Sequence, residues 1–334
     1  MRLLVTGATG FLGGRIAERL VAAGHEVRAL VRDPRTQPES CCGAEPIPGD
    51  VTDREVVLRA ARGCDGIVHA AALVRMWAAD RRAFDRVNVE GFEAVARAAH
   101  ERSARLLYVS SFLALGRSAG TPRDETATAD PARCHNDYQR TKTEADRRAR
   151  ALGRAGRDVV RLYPGVVFGP GRLTAGNHVV RLFVEHARGQ LPGLLGRGDR
   201  RQCFAFVDDV VEGVRLALER APPGSGYVLG GENRTPRELF AAFARASGIA
   251  APRRRIPFAV ASLVGRVARW RAERFGVEPE LTDEVVRIYR EEWAYSSASA
   301  ERDLGYRITP FDEAIRRTVE WLRSIGEIPE GRSA

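Results

Sequence analysis

Two rhythms of apolar residues alternate along this chain. Short unbroken runs appear at Met1–Val5, Val27–Val31, Gly66–His69, Leu106–Ser110, Asp158–Tyr163, Gln202–Val207 and Tyr227–Leu229, with a weaker one at Glu45–Asp50. Between them lie stretches whose apolar positions recur every three or four residues, clearest at Arg15–Ala23, Arg86–Glu101 and Tyr138–Leu152. The runs read as strands and the periodic stretches as helices. Strands that alternate with helices and lack a polar face predict an α/β fold, a doubly wound parallel sheet covered on both sides. Right-handed crossovers then place any ligand crevice at the carboxyl ends of the strands. From 171 to 200 glycines and prolines multiply, and after 231 the pattern is mostly helical, ending in an amphipathic helix from Phe311 to Ile325. The expected division is therefore a main domain over 1–170, completed by strands within 202–230. A smaller helix-rich C-terminal lobe takes 171–201 and 231–326. The tail from 327 is expected to fray.

The first turn carries the first chemistry. Strand Met1–Val5 runs into TGATGFLG (residues 6–13), a helix follows, Gly24 closes it and a second strand begins. This is a βαβ unit with a Rossmann-type glycine turn. Gly7 permits the tight turn, Gly10 lets the backbone approach a pyrophosphate, and Gly13 lets the helix pack on the sheet. The first-turn N–H groups and the helix dipole then face the phosphates. The candidate dinucleotide-binding residues here are Gly7, Thr9, Gly10, Phe11, Leu12 and Gly13, and the 1–170 unit is read as a dinucleotide-binding domain.

Composition narrows the field. Net charge is +10, from 53 Lys+Arg against 43 Asp+Glu, and Lys142 is the only lysine. The simpler source of this charge is an arginine-rich composition; the alternative is attraction of an anionic cofactor or a lipid surface. The charge is dispersed and no nucleic-acid motif accompanies it, which excludes DNA or RNA binding as the main role. Cysteines 41, 42, 64, 134 and 203 are odd in number and irregularly spaced, unlike a disulfide framework or a zinc site, so a reducing compartment is expected. The six histidines show no metal spacing, and no metal is expected. With a strand at the very start and no apolar run long enough to span a bilayer, a cytoplasmic protein is expected. The tripeptide Arg197-Gly-Asp199 and the sequon Asn233-Arg-Thr235 carry no function in that setting.

The second chemical feature is Tyr138-Gln-Arg-Thr-Lys142, at the start of a helix and twenty-seven residues beyond Ser111. Positions i and i+4 share a helix face, so phenol and ammonium point the same way. A neighbouring cation lowers a tyrosine pKa, which would make Tyr138 a proton donor and acceptor near neutrality. The cation is lysine in a chain that otherwise uses arginine, and a compact ammonium suits a ribose hydroxyl where a planar guanidinium does not.

Together these motifs resemble the extended short-chain dehydrogenase/reductase family over nearly the whole chain. Further matching segments are Asp50 in GDVTD, HAAA (69–72), Asn88 in NVEG, VSS (109–111), YPGVVFGPG (163–171) and FVDD (206–209). Within the family the chain is similar to the dihydroflavonol-reductase-like and 3β-hydroxysteroid-dehydrogenase-like branch. Its closer likeness to the farnesol-dehydrogenase-like group rests on SSFLALG (110–116), YPGVVFGPGRLTAGN (163–177) and residues 191–213. The resemblance implies that Ser111 hydrogen-bonds the substrate carbonyl, that Tyr138 passes the proton, and that Lys142 binds the nicotinamide ribose. It implies further cofactor contacts at Asp50 and Val51 (adenine), Ala70, Ala71 and Ala72 (close passage of backbone), and Pro164, Val166 and Val167 (nicotinamide). Asn88 matches a structural asparagine of the family; on its own residues it also reads as a helix N-cap. Asp50 also reads as an Asx turn before Thr52. Relatives often pair as homodimers through helices of the main domain.

The end of the second strand chooses between cofactors. An acidic residue there binds the ribose hydroxyls of NAD, and a basic one accepts the 2′-phosphate of NADP. Valine occupies the acidic position and Arg32 follows, which favours NADP over NAD, unless Asp33 turns back onto Arg32. One departure is Phe206, where the family usually has histidine. The implied activity is NAD(P)-dependent interconversion of an alcohol and a carbonyl on a moderately apolar small molecule. The alternatives are a nucleotide-sugar epimerase or dehydratase, for which Asn177, Arg200 and Arg201 are diphosphate candidates, and a dinucleotide-binding protein without chemistry. A basic amphipathic stretch from Pro252 to Arg271 is expected to be a lobe helix with its apolar face on the core. The other reading is a helix lying on a membrane or framing a lipid-shaped pocket.

Overall fold

Alternation along each buried strand sends successive side chains to opposite faces, and here both faces are covered. Leu3 and Val5 join the cluster that includes Ile16, Leu20, Val210 and Val214, whereas Leu4 joins Val57, Phe92 and Ala149 on the other side. The computed structural model describes residues 1–36, 43–75 and 77–330, so Cys41 and Cys42 lie outside the described residues. Its strands are β1 (Arg2–Thr6), β2 (Glu26–Val31), β3 (Glu45–Pro48), β4 (Gly66–His69), β5 (Arg105–Val109), β6 (Val159–Pro164), β7 (Val166–Phe168), β8 (Leu194–Leu195), β9 (Gln202–Phe206), β10 (Gly226–Leu229), β11 (Asn233–Arg234) and β12 (Arg255–Ile256). Seven of them form one parallel sheet in the order β10-β6-β5-β4-β1-β2-β3. The order reverses between β1 and β4, which opens a crevice at their carboxyl ends.

The 202–230 region divides. β10 completes the main sheet, but β9 does not enter it: β9 lies between β7 and β11 in a three-stranded sheet of its own. Gly165 makes this close approach to β9 feasible, because a Cβ there would stand 2.4 Å from the Cys203 carbonyl oxygen. Apolar content alone did not distinguish the two sheets. The lobe core gathers Phe168, Phe183, Phe204, Phe206, Phe240 and Phe243.

Two features of the lobe matter later. Residues 291–297 thread between main sheet and lobe. Trp293 N donates to Arg201 O and its carbonyl accepts from Cys203 N (2.9 Å each), Ser118 N donates to Glu292 O (2.8 Å), and the Tyr295 hydroxyl donates to Gly116 O (2.6 Å). The Phe258–Phe275 helix departs from expectation: its large apolar side chains face outward, and only Ala261, Gly265 and Ala272 are buried.

Candidate active site

The glycine turn is built by close backbone approach. Gly7 has φ +78°, and a Cβ on it would lie 2.6 Å from Ala71 N. A Cβ on Gly13 would lie 2.2 Å from Gly7 O, so the first helix sits directly on the turn. That helix (Phe11–Ala22) has Gly10 as its N-cap, with no capping side chain and no acidic residue in its first turn. An uncapped N-terminus at a crevice where chain segments converge fits a dinucleotide pyrophosphate. The Thr9 carbonyl accepts from Arg172, Phe11 is buried, and Leu12 packs partly buried against the core.

Thr6 ties this turn to the next strand end. Its Oγ1 accepts from Ala71 N (3.3 Å) and meets His69 Nδ1 (2.8 Å), while Ala70 N donates to Thr6 O (3.2 Å). His69 is buried, and burial together with the Lys142 charge holds its pKa at about 3, so the ring is neutral. Ala70, Ala71 and Ala72 are half-buried along the crevice. Asp50 Oδ1 accepts from Thr52 N (2.9 Å) and Thr52 Oγ1 (2.8 Å), which makes the Asx turn, and Val51 beside it is buried. The second carboxylate oxygen of Asp50 has no hydrogen-bond partner among the described residues and remains able to accept from an adenine amino group.

Asn88 is no N-cap. It sits inside a π-helical turn, Asp85–Glu90, that continues into the Gly91–Glu101 helix. Its Oδ1 accepts from Leu73 N (2.7 Å) and its Nδ2 donates to Thr141 Oγ1 (3.0 Å). Asn88 thereby joins the loop after β4 to the helix that carries Tyr138.

That helix, Asp137–Arg154, starts at an Asn136 cap whose Oδ1 accepts from Gln139 N (2.8 Å). Tyr138 therefore lies in the first turn. Ser111 lies two residues past β5 and caps the short turn Phe112–Leu115, its Oγ accepting from Leu113 N (3.2 Å). The structure brings the two near each other: Tyr138 packs against the cluster that holds Leu113, on the turn that Ser111 caps. Burial pushes the Tyr138 phenol up to about 12, and the neighbouring Ser111 hydroxyl opposes the rise. Lys142 is buried, its Nζ donating to Val109 O (2.8 Å) and standing 4.8 Å from the centre of the Tyr108 ring. Burial draws its pKa down to about 7, with Asp146 resisting. The expected lowering of Tyr138 by Lys142 does not occur in this arrangement, because the ammonium is engaged at Val109 and desolvation of the phenol dominates.

Two supporting residues escaped the sequence reading. Asp146 is fully buried, accepts from Ser110 Oγ (3.4 Å) and pairs with Arg150 (2.7 Å). Arg150 in turn donates to Glu125 O (2.9 Å) and Ala127 O (2.8 Å). The spacing was visible, since 138, 142, 146 and 150 form one stripe at four-residue steps.

Pro164 ends β6, and Val166 and Val167 begin β7 half-buried. Arg32 stands exposed just beyond β2, without an ion pair among the described residues. Asp33 turns to Arg35 instead (2.9 Å). Of the diphosphate candidates, Arg201 is bound to Glu292 (2.7 Å) and Gly120 O (2.6 Å), and Arg200 is exposed. Asn177 is buried, donating to Gly169 O (3.0 Å), with its Oδ1 unpartnered. Phe206 is part of the lobe core, packed on Phe168 (6.0 Å) and under Arg317 (4.6 Å). No metal-binding cluster occurs among the described residues.

Comparison with known proteins adds a family. The sequence profile described as "NAD dependent epimerase/dehydratase family" matches residues 3–230. A 2-alkyl-3-oxoalkanoate reductase of Stenotrophomonas maltophilia is 30% identical over 95% of this chain and 98% of its own. A 4-hydroxy-2-methyl-3-oxo-4-farnesyl-3,4-dihydroquinoline-1-oxide ketoreductase of Stigmatella aurantiaca is 30% identical over 99% and 98%. Among solved structures, that of gox2253 superposes with a TM-score of 0.83 at 30% identity, covering 98% of this chain and 99% of that one.

Proposed function

This chain belongs to the NAD dependent epimerase/dehydratase family and is an NAD(P)-dependent oxidoreductase of the extended short-chain dehydrogenase/reductase type. From that premise we propose that Ser111, Tyr138 and Lys142 catalyse interconversion of a ketone and a secondary alcohol on a moderately apolar small molecule. The observation that carries this reading is the placement of Ser111, two residues past β5, beside the Tyr138 phenol, with the Lys142 ammonium one helical turn further along the same helix. Ser111 Oγ donates to the carbonyl oxygen and polarises it. Tyr138 gives its proton to that oxygen during reduction and takes it back during oxidation. A phenol pushed up to about 12 holds its proton at neutral pH and is loaded for reduction. Lys142 holds the ribose hydroxyls of the nicotinamide when the cofactor is bound. The nicotinamide, when bound, supplies or accepts the hydride. Gly7, Thr9, Gly10, Phe11, Leu12 and Gly13 cradle the pyrophosphate, Asp50 and Val51 the adenine, and Ala70–Ala72, Pro164, Val166 and Val167 border the chain of the cofactor.

Exposed Arg32, left by Asp33 to solvent, supports NADP over NAD. The aromatic wall beside Ser111, where Phe112 meets Trp293 at 5.8 Å and Tyr295 at 5.7 Å, supports an apolar substrate, as do the names of the two ketoreducing relatives. The tie of Arg201 to Glu292 weighs against a nucleotide-sugar diphosphate at that position. The reading includes a cytoplasmic location and a homodimer through the outer faces of the Gly91–Glu101 and Asp137–Arg154 helices, between which lies a hollow of about 960 Å³ lined by Phe92, Ala96, Ala99 and Leu152.

The test is Tyr138→Phe, assayed by absorbance of the reduced nicotinamide on a panel of β-keto acids and esters, ketones and sugar nucleotides. The expected result is a loss of kcat by about a thousandfold or more with cofactor affinity nearly unchanged. Wild-type turnover in the variant would overturn the assignment. Conversion of sugar nucleotides alone, followed by chromatography because the net reaction leaves the cofactor unchanged, would replace it with an epimerase.

A further inference from the structure

The Phe258–Phe275 helix is mounted with its narrow face inward. A Cβ on Gly265 would stand 2.4 Å from Asp283 N, so the helix rests directly on the Asp283–Arg290 helix. Arg269 also turns inward, to Asp283 and Glu284 at 3.2 Å each. The large apolar side chains lie on the other side: Val260, Leu263, Val264, Val267 and Trp270 are each 50–59% exposed. Their spacing gathers them on one arc roughly 120° wide. Five adjoining large apolar side chains on one surface helix exceed the scatter of exposed residues that a monomer tolerates.

The charges around this arc have one sign. Arg266, Arg271 and Arg274 are exposed on the helix, and Arg253, Arg254 and Arg255 immediately precede it. None of the six has an ion-pair partner among the described residues. Of the nearby acids, Glu273 is drawn to Arg269 (3.9 Å) and Glu278 to Arg75 (3.7 Å), while Glu280 stands exposed beyond the helix end. No helix among the described residues is long and apolar enough to cross a membrane. An apolar arc with cations at both ends matches an amphipathic helix lying in the plane of a bilayer interface.

We propose that this face docks the enzyme on an anionic phospholipid surface, with Leu263, Val264, Val267 and Trp270 entering the acyl boundary and the arginines meeting the headgroups. Charge complementarity favours a bilayer over a second copy of the chain. Two copies meeting through this face would bring arginines against arginines whichever way the helices ran. Docking places the lobe beside the phase in which apolar substrates dissolve.

The test is co-sedimentation of the purified enzyme with vesicles of phosphatidylcholine alone and of equal parts phosphatidylcholine and phosphatidylglycerol, read together with tryptophan emission. The expected result is binding to the anionic vesicles with a blue shift that Trp270→Phe removes. A Leu263→Ser, Val267→Ser double variant is expected to bind about tenfold or more weakly. Arg271→Glu with Arg274→Glu is expected to abolish the preference for phosphatidylglycerol. All these positions face outward, so circular dichroism should be unchanged. Absence of binding to either vesicle, binding that the serine variant does not weaken, or self-association in solution that the serine variant removes would each overturn the proposal. The assay needs neither cofactor nor turnover, so it stands or falls apart from the catalytic assignment.

Discussion

In the proposed reading a single side chain, Arg32, selects the cofactor, and it does so by what its neighbour declines to do. Arg32 keeps its guanidinium because Asp33, one residue on, is taken by Arg35 through both Nε and Nη2. The short turn Pro34–Thr36 begins directly after Asp33 and carries Arg35. Arg32→Ala is therefore expected to weaken NADP by about tenfold or more while leaving NAD nearly unchanged. Titration of both cofactors by fluorescence checks this, and equal losses for the two would remove Arg32 as the selector. The identity of Arg32 was legible from its place after β2. The choice of partner by Asp33 was not, because side-chain direction past a strand end depends on a turn that periodicity does not encode. The same limit hid the Asp146–Arg150 pair behind Lys142, although their i,i+4 spacing was in plain view.

Between the Asp137–Arg154 helix and the loop after β4 the connection runs through one irregular element. The Arg86–Glu101 periodicity predicted a regular helix; the chain instead passes through a π-helical turn that turns Asn88 inward to reach Leu73 N and Thr141 Oγ1 at once. Its energetic value is testable. Asn88→Ala leaves the Leu73 amide and the Thr141 hydroxyl without that partner and is expected to cost about 1–3 kcal/mol of stability. Urea unfolding measures it, and a raised KM for the cofactor should accompany the loss, since Leu73, at the end of the stretch that Thr6 holds at Ala70 and Ala71, would no longer be anchored. A variant as stable as the parent would show that the bridge is dispensable. The parallel sheet itself was readable strand by strand from unbroken apolar runs. The membership of β9 was not, because Gln202–Phe206 is buried in either sheet and only Gly165 marks where the second one begins.

At the scale of the whole molecule, the role proposed for Lys142 in catalysis runs against its effect on stability. Its pKa in the folded protein is about 7, below its ordinary 10.5, because burial disfavours the ammonium. Below about pH 7 the folded protein carries the full cost of that buried charge. Between about 7 and 10.5 the unfolded chain binds the extra proton, so this cost fades as pH rises. Lys142→Met is expected to lose turnover yet to gain more in Tm at pH 6 than at pH 10, which calorimetry at the two pH values decides; an equal gain at both would contradict the burial argument. The outward apolar helix is a second such trade, legible as a basic amphipathic stretch but not in its orientation, which is fixed by the fit of Gly265 against Asp283. A last consequence follows from residues 291–297, which thread between sheet and lobe. Strand β9 and the segment after Ser111 take backbone partners from Glu292 to Tyr295, nearly a hundred residues after β9 itself. On the ribosome, then, the early sheet can assemble while the wall beside Ser111 waits, and a nascent chain halted before Tyr295 would emerge half built, its apolar strand edge open to chaperones or to misassembly.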